Sequence, residues 1–155
     1  MDLDVSYIHQ LRQVVALADD GRFTEAIKLA VAFRSEAVRL NGTRSPQAVR
    51  WIEAEAHTAY LAGDVLRSSQ VWMSAAMVRL ARGESGYSAE VEAAVDRAHH
   101  QWQQLSDPYD INRLAPELVA LRIRVPGRQF GALEAVRRRS EVSVYDTFPM
   151  SASYA

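Results

Sequence analysis

The segment "YLAGDVLRSSQVW", Tyr60 to Trp72, is the strongest indication of the fold, because a glycine and an aspartate in it separate two amphipathic segments. A counterpart lies upstream in "ALADDGRFTEAIKLA", Ala16 to Ala30, where Gly21 stands 42 residues before Gly63. Glycine is favoured just past the end of a helix, and a connection of only a few residues forces the next helix to return antiparallel. The sequence therefore predicts two helical hairpins with equivalent turns.

Apolar residues recur every three or four positions along most of the chain, as amphipathic helices require. The stripes begin at Leu3, Phe23, Ala48, Leu66, Val91 and Ile111. Ser45 and Pro46 suit the N-cap and first position of the third helix, whereas Pro116 lies inside the sixth stripe and predicts a kink or a break there. We expect an all-α fold of antiparallel helix hairpins, with about five to seven helices.

The chain resembles itself when it is shifted by 42 residues, which aligns His57 with His99 and Tyr60 with Trp102. Self-similarity of a helix pair at a fixed interval is typical of a solenoid, in which each hairpin buries its apolar side against the next. The alternative is an unrelated bundle of five or six helices with similar loops. The 42-residue register also makes a specific prediction: the Gln101 side of the fifth helix is exposed.

Three segments resemble tetratricopeptide repeats: "ADDGRFTEA" (Ala18 to Ala26), "YLAGDVLRS" (Tyr60 to Ser68) and "LNGTRSP" (Leu40 to Pro46). The interval is similar to that of the long-repeat variety found in kinesin light chains and bacterial signalling proteins. The resemblance covers about residues 1–125, which we assign to a helical repeat domain. The third unit departs from the pattern at Leu105 and Asp110, so residues 109–125 either complete a third repeat or cap the second.

The resemblance implies a concave groove lined by the first helix of each repeat, suited to gripping a peptide by a few anchors. The residues that it places in the groove are Arg50, Glu53, His57, Tyr60, Glu92, His99, Trp102 and Gln103. For Tyr60 and Trp102 the competing interpretation is a partly buried position beside the apolar stripe, and a mixed-charge helix face is often merely solvated. His57 and His99 are the stronger candidates, because the apolar stripe does not include them.

Composition and motifs argue against several other functions. A net charge of -1 is unfavourable for nonspecific binding of nucleic acid, and the absence of cysteine excludes disulfides and thiol chemistry. The sequence shows no phosphate-binding glycine loop and no paired carboxylates or nucleophile beside a base. The adjacent His99 and His100 point about 100° apart on a helix, which is unfavourable for joint metal ligation. We therefore expect no enzyme activity, no metal site and no cofactor.

The last segment, residues 126–155, is predicted to be a basic tail that begins after "VPG" at Val125 to Gly127. A short amphipathic helix is expected around Phe130, with Arg137, Arg138 and Arg139 near its C-terminus. The following "SVYDTFPMSASYA" lacks helical periodicity and is expected to be extended or disordered. The tail is either a chain end or a docking or regulated segment, in which a phosphate on Ser140 would pair with the arginines.

The leading hypothesis from the sequence is a non-enzymatic adaptor or regulatory protein that binds a protein or peptide. The alternative is a nucleic-acid-associated regulator whose basic tail contacts phosphates and whose helical body dimerises. An acidic N-terminus, "MDLDVSYIHQ", and the lack of about 18 to 20 consecutive apolar residues predict a cytoplasmic location without membrane contact. Seventeen arginines against the single Lys28 suggest a bacterial origin, and a short solenoid with an uncapped end favours self-association.

Overall fold

The computed structural model describes the backbone of residues 2–147 and the side chains of residues 5–141. This part of the chain is all-α, and its seven helices pack mostly against their sequence neighbours in antiparallel pairs. The helices are α1 (Asp2–Asp19), α2 (Phe23–Asn41), α3 (Pro46–Leu61), α4 (Val65–Ala81), α5 (Ala89–Gln103), α6 (Pro108–Arg124) and α7 (Ala132–Thr147). Across residues 2–147, no helix is long and apolar enough to cross a bilayer.

The turns at Gly21 and Gly63 are equivalent, as the sequence predicted. Both glycines have positive φ, +76° and +75°, which places them in the left-handed region that other residues disfavour. The residue after each glycine donates its N–H back into the preceding helix, from Arg22 to Leu17 O and from Asp64 to Ala59 O. Each turn therefore ends one helix and starts the next after only three residues, 20–22 in the first turn and 62–64 in the second.

The starts of α3 and α5 lie 43 residues apart, one more than the predicted interval. Ser45 is the N-cap of α3 and Ser88 is the N-cap of α5. The Ser45 hydroxyl accepts the N–H of Ala48, and the Ser88 hydroxyl accepts the N–H of Val91, three residues later in each case. The buried positions of the two helices also coincide at this offset, so that Gln101 corresponds to the buried Thr58 and is itself only 5% exposed. The 42-residue register is therefore wrong for α5, and His100 is the counterpart of His57.

Loop length accounts for the 43-residue offset. Gly42 and Gly83 both have positive φ just past the end of a helix, and they lie 41 residues apart. The connection from Gly83 to the N-cap Ser88 is two residues longer than that from Gly42 to Ser45, which brings the interval between the two N-caps to 43 residues. One of the extra residues, Gly86, packs so closely against α6 that an added Cβ would lie 2.2 Å from Arg124 O. The longer loop is thus used to contact the C-terminal end of α6.

Helix α4 lies between α3 and α5 and is hydrogen-bonded to both through two consecutive serines. The Ser68 hydroxyl donates to Ala56 O of α3, and the Ser69 hydroxyl donates to Ala98 O of α5, each at 3.0 Å. Both serines are fully buried, so each hydrogen bond satisfies a donor that burial would otherwise leave without water. Small side chains at these crossings let the helices approach closely.

The buried apolar residues form two clusters. The larger cluster contains residues from each of the helices α3 through α7, among them Trp72, Met73, Trp102 and Leu118. The smaller cluster contains residues from α1, α2 and α3 and is centred on Trp51. The Trp51 ring contacts the rings of Tyr7 and Phe33, with centroids 5.1 Å and 4.9 Å away. The apolar pattern predicts core positions for Trp51, which lies beside the third stripe, and for Trp72, which lies in the fourth. Both are core residues, at 3% and 6% exposure.

The C-terminal part of the described chain contains more helix than the sequence predicted. Pro116 does not break α6, which continues from Pro108 to Arg124. α7 packs on α6, buries Val136 completely and extends to Thr147, so the expectation of an extended segment from Ser143 is wrong as far as Thr147. The remainder of that predicted segment, residues 148–155, lies outside the described residues.

Candidate functional site

An open cleft of about 430 Å³ lies between α3 and α5, with α4 beneath it. Its lining residues are His57, Tyr60, Trp72, Arg97, His100 and Gln101. The 43-residue offset explains the arrangement, because equivalent turns of α3 and α5 each contribute an exposed histidine, His57 and His100. The cleft is therefore formed by helices and not by a loop.

Trp72 and Arg97 form the floor of this cleft. Trp72 is buried in the core, and the Arg97 guanidinium carbon lies 4.9 Å from the centroid of its ring. Such a cation–π contact holds the planar guanidinium over the indole. Within the part of the chain whose side chains are described, no carboxylate lies within ion-pairing distance of Arg97.

His57 and Tyr60 form the wall on α3. Their ring centroids are 5.9 Å apart, and Tyr60 is 51% exposed although the sequence left a partly buried position open for it. Exposed aromatic and imidazole surface of this kind is available to a binding partner at low cost in side-chain entropy. Both residues were predicted groove residues, and the structure brings them together with α5 residues that were not.

Gln101 has an unusual environment on the opposite wall. It is 5% exposed, and its Oε1 is buried with no hydrogen-bond partner among the described residues. An unsatisfied buried acceptor costs about 1–3 kcal/mol relative to a paired one. The amide therefore offers hydrogen-bonding capacity beside the cleft that the fold itself does not use.

His99, one of the two favoured groove residues, lies on the other side of α5 and is buried. Its Nδ1 accepts hydrogen bonds from Arg122 Nε at 3.2 Å and Arg122 Nη2 at 2.9 Å, and the same Nη2 contacts Asp96 Oδ1 at 2.9 Å. Burial, followed by the neighbouring Arg122, lowers the pKa of His99 from 6.5 to about 4. His99 is therefore a neutral, structural acceptor at physiological pH, and its placement in the groove is corrected.

Trp102 is also buried, with 0% exposure, so the core interpretation of this residue is the correct one. Its indole Nε1 donates to Ile111 O of α6 at 3.1 Å. The Arg139 guanidinium of α7 lies 4.7 Å from the Trp102 ring. It donates to Trp102 O in the last turn of α5 and to Leu105 O just beyond the end of that helix. Arg139 thus caps a helix C-terminus and is not available as a tail contact for nucleic acid.

The other predicted partner-binding residues are dispersed. Arg50 lies over the Tyr7 ring at 5.2 Å, beside a separate cleft of about 310 Å³, and Glu53 accepts from Arg79 at 2.7 Å. Glu92 pairs with Arg128 at 3.5 Å, and Gln103 is exposed on the turn that follows His99.

The two remaining tail arginines lie on α7. Arg137 pairs with Glu134 at 3.1 Å, and Arg138 is exposed. None of the predicted residues outside α3 therefore lines the cleft between α3 and α5.

Sequence reasoning missed Trp72, Arg97, His100 and Gln101 as lining residues. The matched N-caps Ser45 and Ser88 carried the signal for the α5 residues, because aligning the two serines gives the 43-residue offset directly. Trp72 carried no such signal, since the same indole is both core and floor.

The chemistry available in the cleft is recognition through aromatic, imidazole, amide and guanidinium groups. In the part of the chain that the structure describes, no three histidine or carboxylate side chains come together in a way that could hold a metal ion. A scan against protein-family models and a search of curated protein sequences found no match to this chain. The function of this chain must therefore be inferred from the chemistry of the site itself.

Proposed function

We propose that this protein is a non-enzymatic interaction module, an adaptor or regulatory protein, that binds a peptide or protein segment in the cleft between α3 and α5. The proposal includes a tetratricopeptide-like stacking of the hairpins, with α3 and α5 as the first helices of successive units. The single observation that carries it is the open cleft, whose rim residues His57, Tyr60 and His100 are exposed and are not needed for helix packing.

The dimensions of the cleft suit a few side chains of a partner and not a whole globular surface. A cleft of about 430 Å³ accommodates one or two anchoring side chains, which is how helical scaffolds commonly bind short segments. Hydrogen bonds from Ser68 and Ser69 of α4 fix the positions of α3 and α5, so the two walls of the cleft are in place before a partner binds. Preorganisation of this kind reduces the entropy lost on binding.

A pull-down from the lysate of the source cell tests this proposal. The bait is compared with the double variant His57→Ala/His100→Ala and with a matched control, His9→Ala, which replaces an exposed histidine of α1 outside the cleft. All three proteins are first compared by circular dichroism and thermal unfolding.

We expect a protein partner that the His9 variant retains and the double variant loses. Retention by all three proteins would contradict the proposal, and recovery of nucleic acid in place of protein would favour the tail-based alternative, which Arg137 and Arg138 would then have to carry. Salt-sensitive binding would identify that outcome, because phosphate contacts release counterions.

A further inference from the structure

We infer that the cleft between α3 and α5 selects a peptide segment that carries a carboxylate, held at Arg97, with its main chain paired to the Gln101 amide. This inference rests on the proposed function and specifies the ligand of the same site. Its basis is the chemistry of the lining, which includes one arginine, two histidines and an amide, but no acidic residue among the six lining positions.

The position of Arg97 favours a carboxylate over an apolar anchor. The Trp72 ring is only 6% exposed and lies under the Arg97 guanidinium, 4.9 Å away, so the indole is not open to stack with a partner's ring. A guanidinium stacked in this way keeps its in-plane N–H donors directed outward, in the fork that matches a carboxylate. Since no described carboxylate pairs with Arg97, that charge is available to a partner.

The Gln101 amide supplies a second and independent contact. Its Oε1 lacks a partner and is covered in the free protein, and a rotation of the side chain toward the cleft would expose it. An amide exposed in this way can pair with both the N–H and the C=O of one extended residue. The contact with the peptide main chain gives affinity without sequence preference, whereas Arg97 gives the preference for an acidic residue. His57 and His100 complete the rim without bringing a negative charge to it.

Selection of a random peptide library displayed on phage, with the intact protein as bait, tests the inference. The same selection is made on Arg97→Gln, on the His57→Ala/His100→Ala protein and on a matched control, Arg113→Gln, whose guanidinium lies 5.9 Å from the Tyr109 ring on α6, outside the cleft. Thermal unfolding shows first that these variants and Gln101→Leu remain folded.

We expect peptides selected by the intact protein and by the Arg113 variant to share an aspartate or glutamate. A synthetic copy with glutamine in place of that acid should bind the intact protein about tenfold more weakly or worse, as measured by fluorescence anisotropy, because it loses a charge-assisted pair. Arg97→Gln should bind both copies about equally, and Gln101→Leu should weaken both by a similar factor.

Two outcomes overturn the inference, and they are distinguishable. Enriched peptides without an acidic residue, or an acidic preference that Arg97→Gln preserves, would refute the ligand chemistry while leaving peptide binding intact. No enrichment over the His57→Ala/His100→Ala protein would refute peptide recognition in the cleft, and the inference would fail with it.

Discussion

Protonation of His99 should destabilise the fold, because the imidazole is buried as a neutral acceptor. Its Nδ1 receives two hydrogen bonds from Arg122, so a proton on that nitrogen would break both and place a cation beside a guanidinium. Burial and then Arg122 lower the pKa of His99 to about 4, while Asp96 acts in the opposite direction and Arg139 and His100 add to the lowering. The unfolded chain lacks these effects and protonates near pH 6.5.

The sign of the pH dependence follows from this difference. Below about pH 6.5 the unfolded state binds a proton that the folded state excludes, so stability falls as the pH falls toward 4. For a folded pKa of about 4 and an unfolded value of 6.5, the free energy of unfolding decreases by about 2 kcal/mol between pH 7.5 and pH 5. Above about pH 7.5 the residue makes almost no pH-dependent contribution, because it is then neutral in both states.

The variant His99→Asn isolates this contribution. The asparagine Oδ1 can take the place of the imidazole Nδ1 as an acceptor for Arg122, but it does not titrate. Urea unfolding followed by tryptophan fluorescence should show that the variant loses about 2 kcal/mol less than the wild type between pH 7.5 and pH 5. An equal decrease in the free energy of unfolding of the two proteins would show that His99 does not cause the pH dependence.

An NMR titration of the wild type provides a second readout that does not depend on the variant folding. The His99 ring signals should stay constant between pH 7.5 and pH 5. A His99 signal that titrates near pH 6.5 would show that the residue is not buried as a neutral acceptor.

Three further substitutions test the packing. Glu55→Gln removes a 4%-exposed carboxylate that pairs with arginines of α2 and α4, and should lower the free energy of unfolding by about 1–3 kcal/mol, whereas the exposed Glu36→Gln should have no measurable effect in the same urea titration. Gly86→Ala would place a Cβ 2.2 Å from Arg124 O and should cost about 1–3 kcal/mol; an unchanged melting temperature would contradict this contact. Ser69→Ala loses one buried interhelical hydrogen bond and should cost about 1 kcal/mol by chemical denaturation, and an effect near zero would show that the bond is not formed.

Local chemistry made most of the helix boundaries predictable. Gly21 and Gly63 end helices because only glycine adopts their positive φ without strain, and Ser45 with Pro46 starts α3 because the serine hydroxyl accepts a helix N–H that would otherwise be unpaired. These determinants lie within a few residues of the boundary that they set.

The histidines of α3 and α5 show which part of the site could not be predicted from the sequence. His57, His99 and His100 all lie outside the apolar stripes of their helices, so the pattern does not distinguish them. An error of one residue in register corresponds to a rotation of about 100° around the helix axis. That single residue separates the buried His99, paired with Arg122 of α6, from the exposed His100 in the cleft.

The all-α class, the hairpin turns and the burial of Trp51 and Trp72 follow from local sequence, because periodicity and capping are encoded in neighbouring residues. Which face of α5 meets α6 and which faces the cleft depends instead on tertiary packing. The same holds for the contact of Arg139 in α7 with the C-terminal end of α5, which spans the 34 residues from Leu105. Such contacts depend on how helices distant in sequence pack together, and no spacing along the chain specifies them.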